Sequence, residues 1–120
     1  MANQRRPGGT SDLVAHLLDL LRPLATVQAR RMFGGYGIYR EGLMFGLVAD
    51  EVFYLKVDGG SRPVYQARGL PPFSYLRRGK RVEIASYHQA PPEALEDPDL
   101  LLEWAGQAFQ AALAAANKPR

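Results

Sequence analysis

The run over residues 30–39, RRMFGGYGIY, is the feature that most restricts what this chain can fold into. Its aromatic and β-branched residues suit a strand, whereas Gly34, Gly35 and Gly37 interrupt the pattern. A glycine cluster inside a strand usually marks a bulge or a close approach of two backbones. We therefore predict one strand over this run, bent by a structural kink at these three glycines.

A phosphate-binding loop is the alternative interpretation of the glycines. Such loops bring backbone N–H groups against an anion, usually where a helix begins. Here strand-like residues follow Gly37, and the run lacks the Gly-Lys-Ser/Thr ending of a nucleotide loop. The pattern favours a structural role over a nucleotide site.

The composition fits one ordinary domain that needs no covalent staples. The chain has 120 residues, of which 47% are hydrophobic, and no cysteine. It therefore has no disulfides, thiolate metal centres or cysteine nucleophiles. No stretch approaches the roughly 18 apolar residues of a membrane span. We expect a cytoplasmic protein with a flexible tail at residues 1–10, one domain at 11–116 and a short tail at 117–120.

Hydrophobic periodicity divides the chain into helices and strands. Ser11 or Thr10 can cap a first helix, and Asp97-Pro98 is a strong start signal for the last one. Apolar alternation predicts strands over residues 27–39, 43–49, 52–57, 73–77 and 82–87, with a short helix over 61–68. The prediction is an α+β fold with an antiparallel five-stranded sheet, order α-β-β-β-α-β-β-α, and both terminal helices packed on one face.

Five runs of the sequence resemble the TfoX N-terminal domain family, which includes the TfoX/Sxy competence regulators. They are RMFGGYGIY at 31–39, MFGLV at 44–48, FYLKVD at 53–58, PFSY at 72–75 and LLEWA at 101–105. The resemblance implies three strands, a helix and two strands flanked by helices. It also implies regulation of competence and transcription through a protein partner, a transcription factor of the cyclic-AMP-receptor type. The chain ends before a second helical domain could begin, so we expect a stand-alone N-terminal domain.

Two sets of residues are candidate binding surfaces. The first set is a surface for a protein partner and comprises Arg31, Phe33, Tyr36, Tyr39 and Lys56. Lys56, in an apolar strand, is expected to cover a sheet edge or to pair with Asp58.

The second set predicts nucleic-acid contact, because cations neutralise phosphate. It comprises Arg77, Arg78, Lys80 and Arg81 at a hairpin tip. The leading hypothesis is a non-enzymatic protein-interaction module, and direct nucleic-acid binding is its alternative. His16 and His88 are isolated, so no catalytic, cofactor or metal site is predicted. Homodimerisation through a sheet face or edge is a further alternative.

Overall fold

The computed structural model describes residues 11–24, 26–32 and 34–117, over which the chain forms three helices and one antiparallel sheet. The predicted tail at residues 1–10 and most of the one at 117–120 lie outside these residues. The helices are α1 (Asp12–Leu20), α2 (Arg62–Ala67) and α3 (Pro98–Ala116). The strands are β1 (Val27–Met32), β2 (Gly35–Arg40), β3 (Leu43–Ala49), β4 (Val52–Lys56), β5 (Pro72–Arg77) and β6 (Lys80–Gln89).

The α+β prediction is confirmed, but the predicted strand count and element order are wrong. Within the described residues the sheet has six strands, arranged β1-β2-β3-β4-β6-β5. The run at residues 30–39 is two strands, because the chain reverses between Met32 and Gly35, which face each other across β1 and β2. Gly34 has a φ of 79°, a backbone conformation that costs free energy for residues other than glycine. The glycines thus accompany a full reversal of the chain, which turns the predicted kinked strand into a hairpin.

The helices begin where the sequence predicts. The Ser11 hydroxyl accepts a hydrogen bond from the Val14 N–H (3.0 Å), and the Asp97 carboxylate accepts from the N–H groups of Asp99 (3.1 Å) and Leu100 (3.3 Å). Each cap satisfies donors that the first helical turn leaves unpaired. Two 3₁₀ turns, Arg22–Leu24 and Pro92–Glu96, follow α1 and precede α3.

One face of the sheet and the two terminal helices enclose the core. α3 packs across β3 and β4, and α1 packs on β1 and α3. Phe45 from the sheet meets Phe109 of α3 edge-on, with ring centres 6.1 Å apart. Fully buried aliphatic residues complete this core: Val14, Leu17, Leu21, Ile38, Leu55 and Leu101.

Candidate binding site

The sheet face opposite the terminal helices carries an apolar groove. Its volume is about 470 Å³, within the range of pockets that hold ligands. Both edge strands, β1 and β5, contribute to its wall, so the sheet curves and makes this face concave. The lining residues are Met32, Met44, Leu47, Phe73, Tyr75, Leu76, Ile84 and Tyr87.

A β-bulge explains how β3 serves both the core and the groove. Ile38 pairs with Gly46 and Tyr39 pairs with Met44, so Phe45 is an extra residue in β3. Such an insertion shifts the alternation of side chains by one position. Phe45 therefore enters the core, while Met44 and Leu47 on either side of it line the groove.

Gly37 makes room for the methionines beside the groove. A Cβ atom at this position would lie 2.8 Å from the Met44 sulfur and the Tyr39 ring, and 2.9 Å from the Met32 sulfur. The absence of a side chain lets these three residues close over the backbone of β2. Thioethers are flexible and polarisable, so this part of the surface can adapt to different apolar shapes.

The distal part of the β5–β6 hairpin forms the far wall of the groove. β6 pairs with β4 through residues 87–89, whereas residues 80–84 pair with β5. We call residues 73–84 the arm. The Phe73 ring packs between Tyr54 (5.1 Å) and Tyr75 (6.0 Å), and Leu76 remains 65% exposed. The arm thus presents apolar side chains to solvent beside the groove.

Tyr87 anchors the groove wall to the sheet. Its hydroxyl donates a hydrogen bond to the Met44 carbonyl (3.1 Å). Burial, with a smaller contribution from Tyr39, raises the pKa of Tyr87 to about 12. The hydroxyl therefore stays protonated and able to donate at neutral pH.

The structure divides the predicted partner surface between the two faces of the sheet. Arg31 and Tyr36 are direct cross-strand partners, and Tyr36 packs against the core on the helix side. Tyr39 and Lys56 lie on the groove side, and Phe33 lies outside the described residues. These residues therefore do not form one surface, and Tyr39 and Lys56 are the two that belong with the groove.

Both expectations for Lys56 are wrong. Its strand, β4, lies between β3 and β6 and is not an edge. Asp58 accepts hydrogen bonds from the N–H groups of Ser61 (2.9 Å) and Gly60 (3.0 Å), which lower its pKa, and it forms no ion pair with Lys56. The Lys56 ammonium instead lies 5.2 Å from the centre of the Tyr87 ring.

The predicted nucleic-acid contacts stand together at the tip of the arm. Arg78 and Gly79 form a two-residue turn with φ values of 52° and 79°, as in a type I′ hairpin. Arg77 faces Lys80 across the hairpin. Arg81 donates to the Ser74 hydroxyl (2.7 Å). All four cations are exposed, and none forms an ion pair with a described residue.

The histidines have structural surroundings. His88 is buried, donates from Nδ1 to the Leu70 carbonyl (2.7 Å), and lies against the Tyr65 ring. His16 Nε2 lies 2.9 Å from the Leu95 carbonyl and links α1 to the turn before α3. Across residues 11–24, 26–32 and 34–117, no group of three histidine or acidic side chains is placed to hold a metal ion.

None of the eight residues that line the groove is among the site residues predicted from the sequence. One signal was available: residues 43–49 are apolar at every position except the glycine, so β3 has two apolar faces. Two terminal helices on one side of a sheet can cover one of those faces. The other apolar face of β3 must then contact another molecule or remain exposed to solvent.

The fold is that of a small α+β domain with an open apolar groove on one face of its sheet. The TfoX N-terminal domain matches residues 19–112 of this chain. The chain therefore belongs to the TfoX N-terminal domain family, as the five sequence runs indicated. A comparison with curated proteins gave no match. Among the described residues, no helix has the length and apolar character needed to cross a membrane.

Proposed function

We propose that this domain is a regulatory module that acts by binding an apolar segment of another protein in the groove. The observation that carries the proposal is the open apolar face of the sheet, built from two methionines, leucines and aromatic rings. An exposed apolar surface of this kind typically marks an interaction site. Membership of a family of regulatory domains supports binding over catalysis.

A pair of matched substitutions tests this proposal. Leu76 and Val64 are exposed apolar residues, at 65% and 50%, but Leu76 lines the groove and Val64 belongs to α2. Proteins that co-purify with wild-type, Leu76→Asp and Val64→Asp chains from the native cell should be compared by quantitative mass spectrometry. We expect the amount of one co-purified protein to fall at least tenfold with Leu76→Asp and to stay at the wild-type level with Val64→Asp.

This chain and the recovered protein are then purified, and the affinity between them is measured by calorimetry. A transcription factor of the cyclic-AMP-receptor type is included among the candidate partners. Equal losses with both variants would contradict groove binding. A wild-type homodimer that Leu76→Asp separates would show that a second copy occupies the groove, and would overturn the proposal of a different partner.

Direct nucleic-acid binding by the arm is the second candidate function. The four exposed cations at its tip support it, because a two-stranded ribbon fits the major groove and cations neutralise phosphate. Arg78→Asn removes one charge but keeps a residue that tolerates the turn conformation. Arg22→Gln, on the turn after α1, is the charge-matched control.

Fluorescence anisotropy with a labelled 20-base-pair duplex and a 20-nucleotide single strand, across a salt series, measures this binding. The slope of the logarithm of the binding constant against the logarithm of salt concentration should be shallower for Arg78→Asn than for the control, by about the value of one phosphate contact. Absence of binding even at low salt would exclude this function.

A further inference from the structure

Two cations and two tyrosines form a cluster at one end of the groove. The guanidinium carbon of Arg30 lies 4.8 Å from the centre of the Tyr39 ring, and the Lys56 ammonium lies 5.2 Å from that of the Tyr87 ring. Such cation–aromatic contacts hold a charge in place without neutralising it. We call Arg30, Tyr39, Lys56 and Tyr87 the cation–tyrosine cluster.

Strand register shows that the cluster continues into the groove. Tyr39 pairs with Met44, Lys56 pairs with Tyr87, and the Tyr87 hydroxyl reaches the Met44 carbonyl. Met44 and Tyr87 are themselves lining residues of the groove. A bound chain that fills the groove would therefore extend directly past the two cations.

Neither cation of the cluster has a counter-ion in the described part of the chain. The ion pairs formed there are Arg22 with Asp19 and Arg68 with Glu93. Lys56 is half-buried on a central strand, where an ammonium loses hydration without gaining a carboxylate. The site therefore offers unused positive charge beside an apolar surface.

We propose that the groove recognises a protein segment in which acidic residues stand next to apolar ones, with the carboxylates at Arg30 and Lys56 and the apolar side chains in the groove. This inference rests on the proposed function and names the chemistry of the partner. Hydrogen bonds between a carboxylate and a cation are short and strong. An apolar segment with basic residues would meet repulsion at the same place.

Neighbouring arginines on β1 provide a matched experiment. Arg30 belongs to the cation–tyrosine cluster, whereas Arg31 lies on the helix side with Tyr36. The probe is a phage-displayed library of random 12-residue peptides, selected on the immobilised full-length chain. Recovered peptides are synthesised, and their affinities are measured against wild-type, Arg30→Gln, Arg31→Gln and Lys56→Gln proteins.

We expect recovered peptides rich in Asp or Glu adjacent to Leu, Phe or Met. Arg30→Gln and Lys56→Gln should each weaken binding about tenfold, Arg31→Gln should have no effect, and added salt should reduce affinity. Lys56→Glu should shift the selection toward basic peptides.

Peptides that bind Leu76→Asp more weakly, but bind Arg30→Gln and Lys56→Gln as tightly as the wild-type protein, would overturn this inference while leaving groove binding intact. Selection of basic peptides by the wild-type protein, or of none at all, would also overturn it. The co-purification experiment with Leu76→Asp and Val64→Asp tests the proposed function separately.

Discussion

Gly35 and Gly34 are adjacent in the chain, yet alanine should affect them very differently. A Cβ atom at Gly35 would lie 2.1 Å from the carbonyl oxygen of Val48, and that atom belongs to the backbone of β3. β2 would have to move about 1 Å away from β3, which strains packing and weakens a hydrogen bond between the strands. Together these effects should cost about 3 kcal/mol.

At Gly34 the space is open but φ is 79°. Alanine there is strained by its own backbone alone, which costs about 1 kcal/mol. For a domain of this size, 1 kcal/mol shifts the melting temperature by about 4 °C. Gly35→Ala should therefore melt about 12 °C below the wild-type protein, and Gly34→Ala about 4 °C below it.

Thermal denaturation measures both melting temperatures, and urea denaturation the two free-energy differences. Both can be followed through the fluorescence of Trp104, whose ring packs edge-on against Tyr65 at 5.2 Å. Far-ultraviolet circular dichroism should give the same transition midpoints if unfolding has two states. The reasoning fails if Gly34→Ala destabilises the protein as much as Gly35→Ala. That result would mean that the backbones of β2 and β3 do not approach each other closely at Gly35.

Three further predictions concern helix capping, alkaline pH and turn geometry. Asp97→Ala should lower the free energy of unfolding by about 1 kcal/mol, because it removes the cap of α3; Asp97→Ser, which keeps an acceptor, is the control, and equal losses would contradict the capping role. Tyrosine ionises near pH 10.0 when unperturbed but near 12 at Tyr87, so the free energy of unfolding should fall as pH rises between these values. Tyr87→Phe should make that fall shallower in urea titrations at each pH, and an unchanged slope would refute the assignment. Glu51 has a φ of 62° in the β3–β4 turn. Glu51→Gly creates a favoured Asp-Gly pair with Asp50 and should raise the thermal midpoint by a few degrees. A lower midpoint would contradict the inferred backbone strain at Glu51.

Much of the fold follows from local signals in the sequence. Ser11 and Asp97 mark helix starts, and the alternation over residues 52–56 places Phe53 and Leu55 inside, as observed. The division of residues 30–39 into two strands was not predictable by the same means. The turn there lacks the Asn-Gly or Asp-Gly pair that usually identifies a hairpin, so its glycines resemble those of a bent strand.

The candidate site was harder to predict because it depends on tertiary geometry. The bulge at Phe45 changes which face each neighbour occupies, and its local sign, Gly46, can equally mark a close approach of neighbouring groups. One error was avoidable: Tyr36 and Tyr39 are three residues apart, and an odd spacing in a regular strand already separates two side chains onto opposite faces. That Arg30 rather than Arg31 shares a face with Tyr39 follows only from the hairpin, in which Arg30 pairs with Gly37 of β2.

The two-sided character of β3 has a consequence for finding the partner. Phe45 and Val48 pack in the core, and Met44 and Leu47 of the same strand line the groove. Any molecule that fills the groove holds this strand in its folded position and so resists the melting of the whole domain. At a concentration one hundred times its dissociation constant, such a molecule adds about 2.7 kcal/mol to the free energy of unfolding. The heat stability of the purified chain can thus serve as the detector in a screen for its natural occupant.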